Sequence, residues 1–255
     1  MPANPSADGL RRAMRVRVIV HAASFTPAQK LRLLALNAWP LLHVAATVSF
    51  ALWLPAAPLI RFTTAAACLL LLPPLLARLA LLRAPLPTGE IAIPSAAFFR
   101  WWTTWQLQMI FNRLPWIEEL LRIVPGAYSA WLRLWGAQIG RLTLWSPGVR
   151  IFDRPLLRLG DDVVLGLDAR LVGHFGGLDS SGRATLTLGS VTIGDRCTLG
   201  AGALLAPGLH LDSDQATEAL FLGPPFTRWR QGTRVPHESA SSAGPPSPPP
   251  SSPQP

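Results

Sequence analysis

The sequence predicts a mainly β chain: a left-handed parallel β-helix of six-residue repeats, preceded by two transmembrane helices and an interfacial helical segment. Three observations carry this. From Ile139 onward an aliphatic residue followed by glycine recurs at six-residue spacing. Upstream, two apolar runs are each long enough to cross a bilayer, which takes about 20 residues. Between the runs and the repeats lies a stretch dense in tryptophan, phenylalanine and arginine.

Composition agrees with a membrane setting. Of 255 residues, 49% are hydrophobic and only 15% are charged, against about 25% charged in ordinary soluble domains. The net charge is +9, and the basic residues are almost all arginine. They flank apolar segments, which favours anionic lipid headgroups as the partner. No basic recognition helix or aromatic RNA-binding motif appears, so nucleic acid is not expected. The two cysteines, Cys68 and Cys197, offer neither metal spacing nor a disulfide framework.

Taken in order, residues 1–32 form a basic N-terminal segment. It does not read as a cleavable signal, because the apolar stretch behind it is too long and lacks a cleavage site. Residues 33–83 read as a transmembrane hairpin, with spans at 33–54 and 60–82 and a turn near Pro55, Pro58 and Arg61. Basic residues cluster before the first span and after the second (Arg78, Arg83), which places both termini and the β-helix in the cytoplasm, at a bacterial inner membrane. His43, inside the first span, is read as a packing residue. The competing reading of 33–83 is a buried hairpin of a soluble protein. In 94–130, Phe98, Phe99, Trp101, Trp102, Trp105, Phe111 and Trp116 alternate with Arg100, Arg113 and Arg122. This mixture suits amphipathic helices at headgroup level, or equally helices packed on the next domain. Residues 131–212 form the β-helix, 213–237 a closing segment, and 238–255 a Ser/Pro-rich tail expected to be disordered.

The repeat is specific. Ile139-Gly140-Arg141-Leu142-Thr143-Leu144 is followed by Leu159-Gly160-Asp161-Asp162-Val163-Val164 and Leu165-Gly166-Leu167-Asp168-Ala169-Arg170. Ile193, Leu199 and Leu205 open further hexamers. Each hexamer supplies one short strand and a turn, and three make a triangular coil. The aliphatic residue fills the axis, the small fifth residue also points inward, and glycine is expected to permit the sharp corner. A helix would need a period near 3.6. The register breaks between Ile151 and Leu159, where two residues are extra, and again after His174. About four coils fit.

At these residues the chain resembles the hexapeptide-repeat acyltransferase superfamily. More narrowly, it resembles the membrane-embedded C-terminal domains of Pls/PosA-type nonribosomal peptide synthetases. The matching residues are Trp131-Leu132-Arg133-Leu134-Trp135-Gly136-Ala137-Gln138-Ile139-Gly140, Asp153, Leu156 through Asp162, Gly173-His174 and Val191 through Asp195. The apolar pair and Phe98-Phe99-Arg100-Trp101-Trp102 belong to the same pattern. After His174 the subfamily continues with a charged segment, whereas this chain reads Phe175-Gly176-Gly177-Leu178-Asp179.

The resemblance implies acyl transfer from a coenzyme A thioester, or a carrier-bound thioester, to a hydroxyl or amine. It also implies a homotrimer and His174 as general base. A loop at 175–187 is expected to protrude and cover the site of an adjacent subunit. Asp153, Asp168 and Asp179 are candidates to orient His174. The backbone N–H groups of Gly173, Gly176 and Gly177 are candidates for an oxyanion site. Arg170, Arg183 and Arg196 are candidates to meet the donor's phosphates. Two other readings stay open: an amide-bond-forming domain, and a non-catalytic membrane-tethered scaffold. A zinc-dependent carbonic anhydrase on the same prism needs three histidines, and only His174 and His210 lie in the coils, so no metal is expected.

Overall fold

The computed structural model describes residues 23–235. Most of the basic N-terminal segment and the whole Ser/Pro-rich tail lie outside the described residues.

Helix α1 (Pro27–Trp53) starts before position 33 because Thr26 caps it. The Thr26 hydroxyl accepts from Gln29 N, the Gln29 side chain accepts from Thr26 N at 2.9 Å, and Pro27 occupies the first turn. Helix α2 (Pro58–Arg83) follows a tight turn. There Arg61 donates to the carbonyls of Leu52 and Ala56, satisfying the end of α1. Both helices are long and apolar enough to cross a membrane. They expose leucines along their length, including Leu31, Leu41, Leu59 and Leu82. His43 is buried between them, its Nε2 2.8 Å from the Cys68 carbonyl and its ring stacked on Trp39.

Strand β1 (Gly89–Ala92) leads into α3 (Ala96–Arg113), capped by the Ser95 hydroxyl. The sequence left these aromatic residues either at headgroup level or packed on the next domain. In the fold Phe98, Phe99, Trp101 and Phe111 are buried, because α3 is sandwiched between the hairpin and the β domain. From α1, Asn37 Oδ1 accepts from Trp102 Nε1 at 3.0 Å and from Gln106 Nε2 at 2.8 Å. The exposed apolar face falls on α4 (Trp116–Ile123), where Trp116, Leu120 and Ile123 point outward. Helix α5 (Ala127–Leu134) then fixes the hairpin to the β domain, Trp131 Nε1 donating to the Leu70 carbonyl at 2.7 Å.

The repeats form a three-sided parallel β-helix. One face stacks β2 (Gln138–Ile139), β5 (Leu157–Leu159), β10 (Val191–Ile193), β13 (His210–Leu211) and β15 (Arg228–Arg230). The second stacks β3 (Leu144–Trp145), β6 (Val164–Leu165) and β11 (Thr198–Leu199). The third stacks β4 (Arg150–Ile151), β7 (Arg170–Leu171), β12 (Leu204–Leu205) and β14 (Leu222–Gly223). Aliphatic residues meet coil on coil, Ile139 on Leu159 on Ile193 on Leu211. The second inward position is taken by Val163, Ala169, Cys197, Ala203 and Leu209, all buried. Both cysteines are free thiols.

Three sequence expectations change in detail. The β-helix begins at Gln138, since Ala127–Leu134 is helical. It also continues past 212: the closing segment 213–237 supplies β14, β15 and the antiparallel strand β16 (Thr233–Val235). The glycine after each aliphatic residue is required by close coil stacking rather than by a corner. A Cβ on Gly160 would lie 2.1 Å from Asp195 Oδ1 and 2.7 Å from Asp195 N. The left-handed backbone falls two residues later, at Leu142, Asp162, Asp168 and Arg196.

Both register breaks have structure. The extra residues after Ile151 form a 3-10 turn, Arg154–Leu156. The interruption after His174 is a hairpin of β8 (His174–Leu178) and β9 (Ala184–Leu188), and β9 pairs antiparallel with β1.

Candidate active site

The two breaks in the repeat meet in space. The first leaves Asp153 at the mouth of the 3-10 turn, and the second leaves His174 at the root of the hairpin. His174 Nδ1 lies 2.6 Å from Asp153 Oδ2. The same oxygen accepts from Gly173 N at 2.9 Å, and Oδ1 accepts from Trp101 Nε1 at 3.1 Å. Three donors therefore converge on one carboxylate, whose side chain is 2% exposed. A carboxylate can only accept, so the hydrogen of the imidazole sits on Nδ1. In the neutral ring Nε2 then carries the lone pair, the tautomer a general base needs.

The ring is also held by packing. Trp101 and Trp105, one turn apart on α3, contact it with centroids 4.7 and 4.5 Å away, Trp105 edge-on. The His174 side chain remains 18% exposed, enough to be reached from one side. The hairpin that begins at His174 pairs with β1, and Leu186 and Leu188 pack with Phe98, Phe99 and Trp101 of α3. The segment expected to reach over a neighbouring subunit is thus stitched to its own chain.

Beneath the dyad lies a buried polar network. Arg154, next to Asp153, donates through its backbone N and Nη1 to Gln108 Oε1 and through Nη1 to Asn112 Oδ1 at 3.0 Å. Its guanidinium pairs with Glu118 of α4, which also accepts from the Tyr128 hydroxyl. Burial, reinforced by the Glu118 charge, pushes the Tyr128 phenol far above its ordinary value.

The other candidate residues are placed differently. Asp179 does not reach His174. It accepts from Ser181 and Arg183 at the hairpin tip, and those bonds hold its carboxyl far below the usual range. Arg183 is correspondingly occupied. Asp168 sits at an exposed coil corner against Gly148, not at the dyad. The Gly173 N–H donates to Asp153, so it is not a free oxyanion donor. Gly176 and Gly177 belong to strand β8, opposite Leu186 and Thr185, rather than to an open loop. Arg196 forms a two-pronged pair with Asp214, at 2.6 and 2.8 Å. Arg170 is exposed and lines a cavity with Arg150, Trp116 and Asp168. His210 lies on another face, its Nε2 3.3 Å from Asp212. Among the described residues no group of three or more His, Cys, Asp or Glu side chains is placed to hold a metal.

Trp101, Trp105, Glu118 and Arg154 were not singled out from sequence. The i, i+4 spacing of the two tryptophans was the one local signal that they share a helix face.

No family model matches the chain. No curated protein matches its sequence. Among solved structures, the chain is similar to a maltose O-acetyltransferase from Clostridium difficile 630, with 17% identity over 47% of this chain and 81% of that one and a TM-score of 0.31. It is similar to a hexapeptide-repeat acetyltransferase from Vibrio cholerae, with 12% identity, 58% and 95% coverage and a TM-score of 0.33. It is also similar to a galactoside acetyltransferase in complex with coenzyme A, with 12% identity, 58% and 86% coverage and a TM-score of 0.31.

Proposed function

We propose that this protein is a membrane-anchored acyltransferase. It moves an acyl group from a coenzyme A thioester to a hydroxyl or amine, with His174 as general base and Asp153 as its positioning residue. One observation carries the reading: a buried carboxylate holds Nδ1 of a partly exposed histidine, where two breaks in a six-residue repeat meet.

The chemistry follows from that geometry. Nε2 takes the proton of the acceptor as its oxygen or nitrogen attacks the thioester carbonyl. The tetrahedral intermediate collapses, the carbon–sulfur bond breaks, and the thiolate recovers the proton from the imidazolium. Asp153 fixes the tautomer and stabilises the transient positive ring. Arg170, beside Arg150, is the proposed contact for donor phosphates, since Arg183 and Arg196 are engaged with aspartates. The dyad and its tryptophan walls come from one chain, so this chemistry does not require the homotrimer that the resemblance implies. The coil is proposed to wind left-handed, and the hairpin to hold both termini on the cytoplasmic side.

The test is free-thiol release from acetyl-CoA by detergent-solubilised protein, wild type against His174→Ala. A fall of roughly 10²–10⁴-fold in the variant, with unchanged thermal unfolding, supports the base role. Equal thiol release in both proteins removes His174 from the chemistry. A folded wild type that neither binds coenzyme A nor turns over acyl-CoA or carrier-bound thioesters is a scaffold instead.

A further inference from the structure

Where the last turns of α2 run into the β domain, the structure holds a cavity of about 210 Å³. Two arginines line it, Arg78 from α2 and Arg158 from β5, together with the hydroxyl residues Thr88 and Ser190. Among the described residues neither arginine has a carboxylate within ion-pair distance, although Arg141, Arg183, Arg196, Arg228 and Arg230 each do. Arg78 is seated against Gly136. That glycine has φ +96°, and a Cβ there would lie 3.1 Å from Arg78 Nη1.

The rest of the wall is hydrocarbon. Leu82 and Leu86 line the same cavity, and Leu82 is 71% exposed on the outer surface of the helix. A pair of unpaired guanidiniums suits a phosphate group, which accepts their parallel N–H donors. On the bilayer side of Arg78, the exposed Leu75 and Leu71 of the same helix face suit an acyl chain. The cavity is smaller than the roughly 300–1,000 Å³ typical of sites for drug-sized ligands, which fits a headgroup rather than a whole nucleotide coenzyme.

We propose that Arg78 and Arg158 bind the phosphate of an anionic phospholipid whose acyl chain runs toward the bilayer along the exposed Leu75 and Leu71 of the same helix face. This rests on the hairpin spanning a bilayer. Leu156 forms part of the cavity wall and also fills the space beside Gly173, where a Cβ would lie 2.9 Å from its Cδ1; Gly173 precedes His174. The bound lipid therefore sits one side chain away from the proposed catalytic dyad.

The experiment measures thermal unfolding and lipid retention by native mass spectrometry. The protein is held in nanodiscs of phosphatidylcholine alone or with phosphatidylglycerol. Wild type is expected to be stabilised by phosphatidylglycerol and to retain it. Arg78→Gln/Arg158→Gln, and the milder surface variant Arg158→Gln, are expected to bind it on the order of tenfold more weakly. Unchanged retention in both variants overturns the site. So does a variant that retains lipid normally but shows a raised KM for acetyl-CoA, because the arginines then serve the thioester donor. Inorganic phosphate reproducing the full stabilisation overturns the lipid as occupant. The spanning reading fails separately, if alkaline carbonate releases the wild type from membranes without detergent.

Discussion

The guanidinium of Arg154 and the carboxylate of Glu118 face each other with almost no solvent around either, at 1% and 4% side-chain exposure. They join the turn that carries Asp153 to helix α4. Removing one partner strands the other charge in a site built for a pair, which costs about 3–5 kcal/mol. Glu118→Ala should lower stability by that order in denaturant unfolding and should reduce turnover as well, because Arg154 adjoins Asp153. A variant as stable as wild type would mean that water or another carboxylate replaces Glu118.

Asp153→Asn tests positioning without changing volume. The amide accepts through one atom only, so it no longer fixes the hydrogen on His174 Nδ1. We expect kcat to fall roughly 10²–10⁴-fold with KM nearly unchanged and the unfolding temperature only slightly lowered. A matching rise in KM, with kcat preserved, would instead make Asp153 part of substrate binding.

Gly160→Ala tests the stacking role of the repeat glycine. Its new methyl group would meet Asp195 of the next coil at 2.1 Å, so adjacent coils must separate. The expected loss is about 1–3 kcal/mol, as for other overpacked positions, read by thermal unfolding in detergent. An unchanged midpoint would show that the coils shift freely.

The end of the β-helix should be acid-sensitive. Burial alone would raise the Asp212 carboxyl, but hydrogen bonds from Arg228 and Arg230 outweigh it and hold the group below its ordinary value. A carboxyl lowered in the folded state contributes stability above its unfolded pKa of about 3.9, and that contribution disappears as pH falls through the folded value. Wild type should therefore be more stable than Asp212→Asn near neutrality and converge with it below about pH 4. A constant gap across that range would locate the effect elsewhere.

Much of this architecture was legible because the six-residue period is a local pattern. Ile139, Leu159 and Ile193 mark the coils, and the two faults in the period mark where Asp153 and His174 emerge. Choosing Asp153 over Asp168 and Asp179 was not possible from sequence. Asp153 lies 21 positions from His174, and only the fold of the intervening coil brings it there. Trp101 and Glu118 were hidden for the same reason, their partners Asp153 and Arg154 lying 52 and 36 positions away. The aromatic run 98–111 stayed open between two readings because a pattern of tryptophan and arginine is the same whether lipid or protein covers it. The coil after 212 escaped notice because Leu222-Gly223 alone keeps the repeat signature there.

Strand β16 reverses direction and occupies the outer edge of β15, while α5 packs against β2 at the opposite end. A parallel solenoid with bare ends is a template on which further copies can polymerise. Here both ends of the five-stranded face are covered by the chain itself. On that face a second copy would meet an antiparallel strand at one end and a helix at the other, neither of which offers the parallel register that continues the coil.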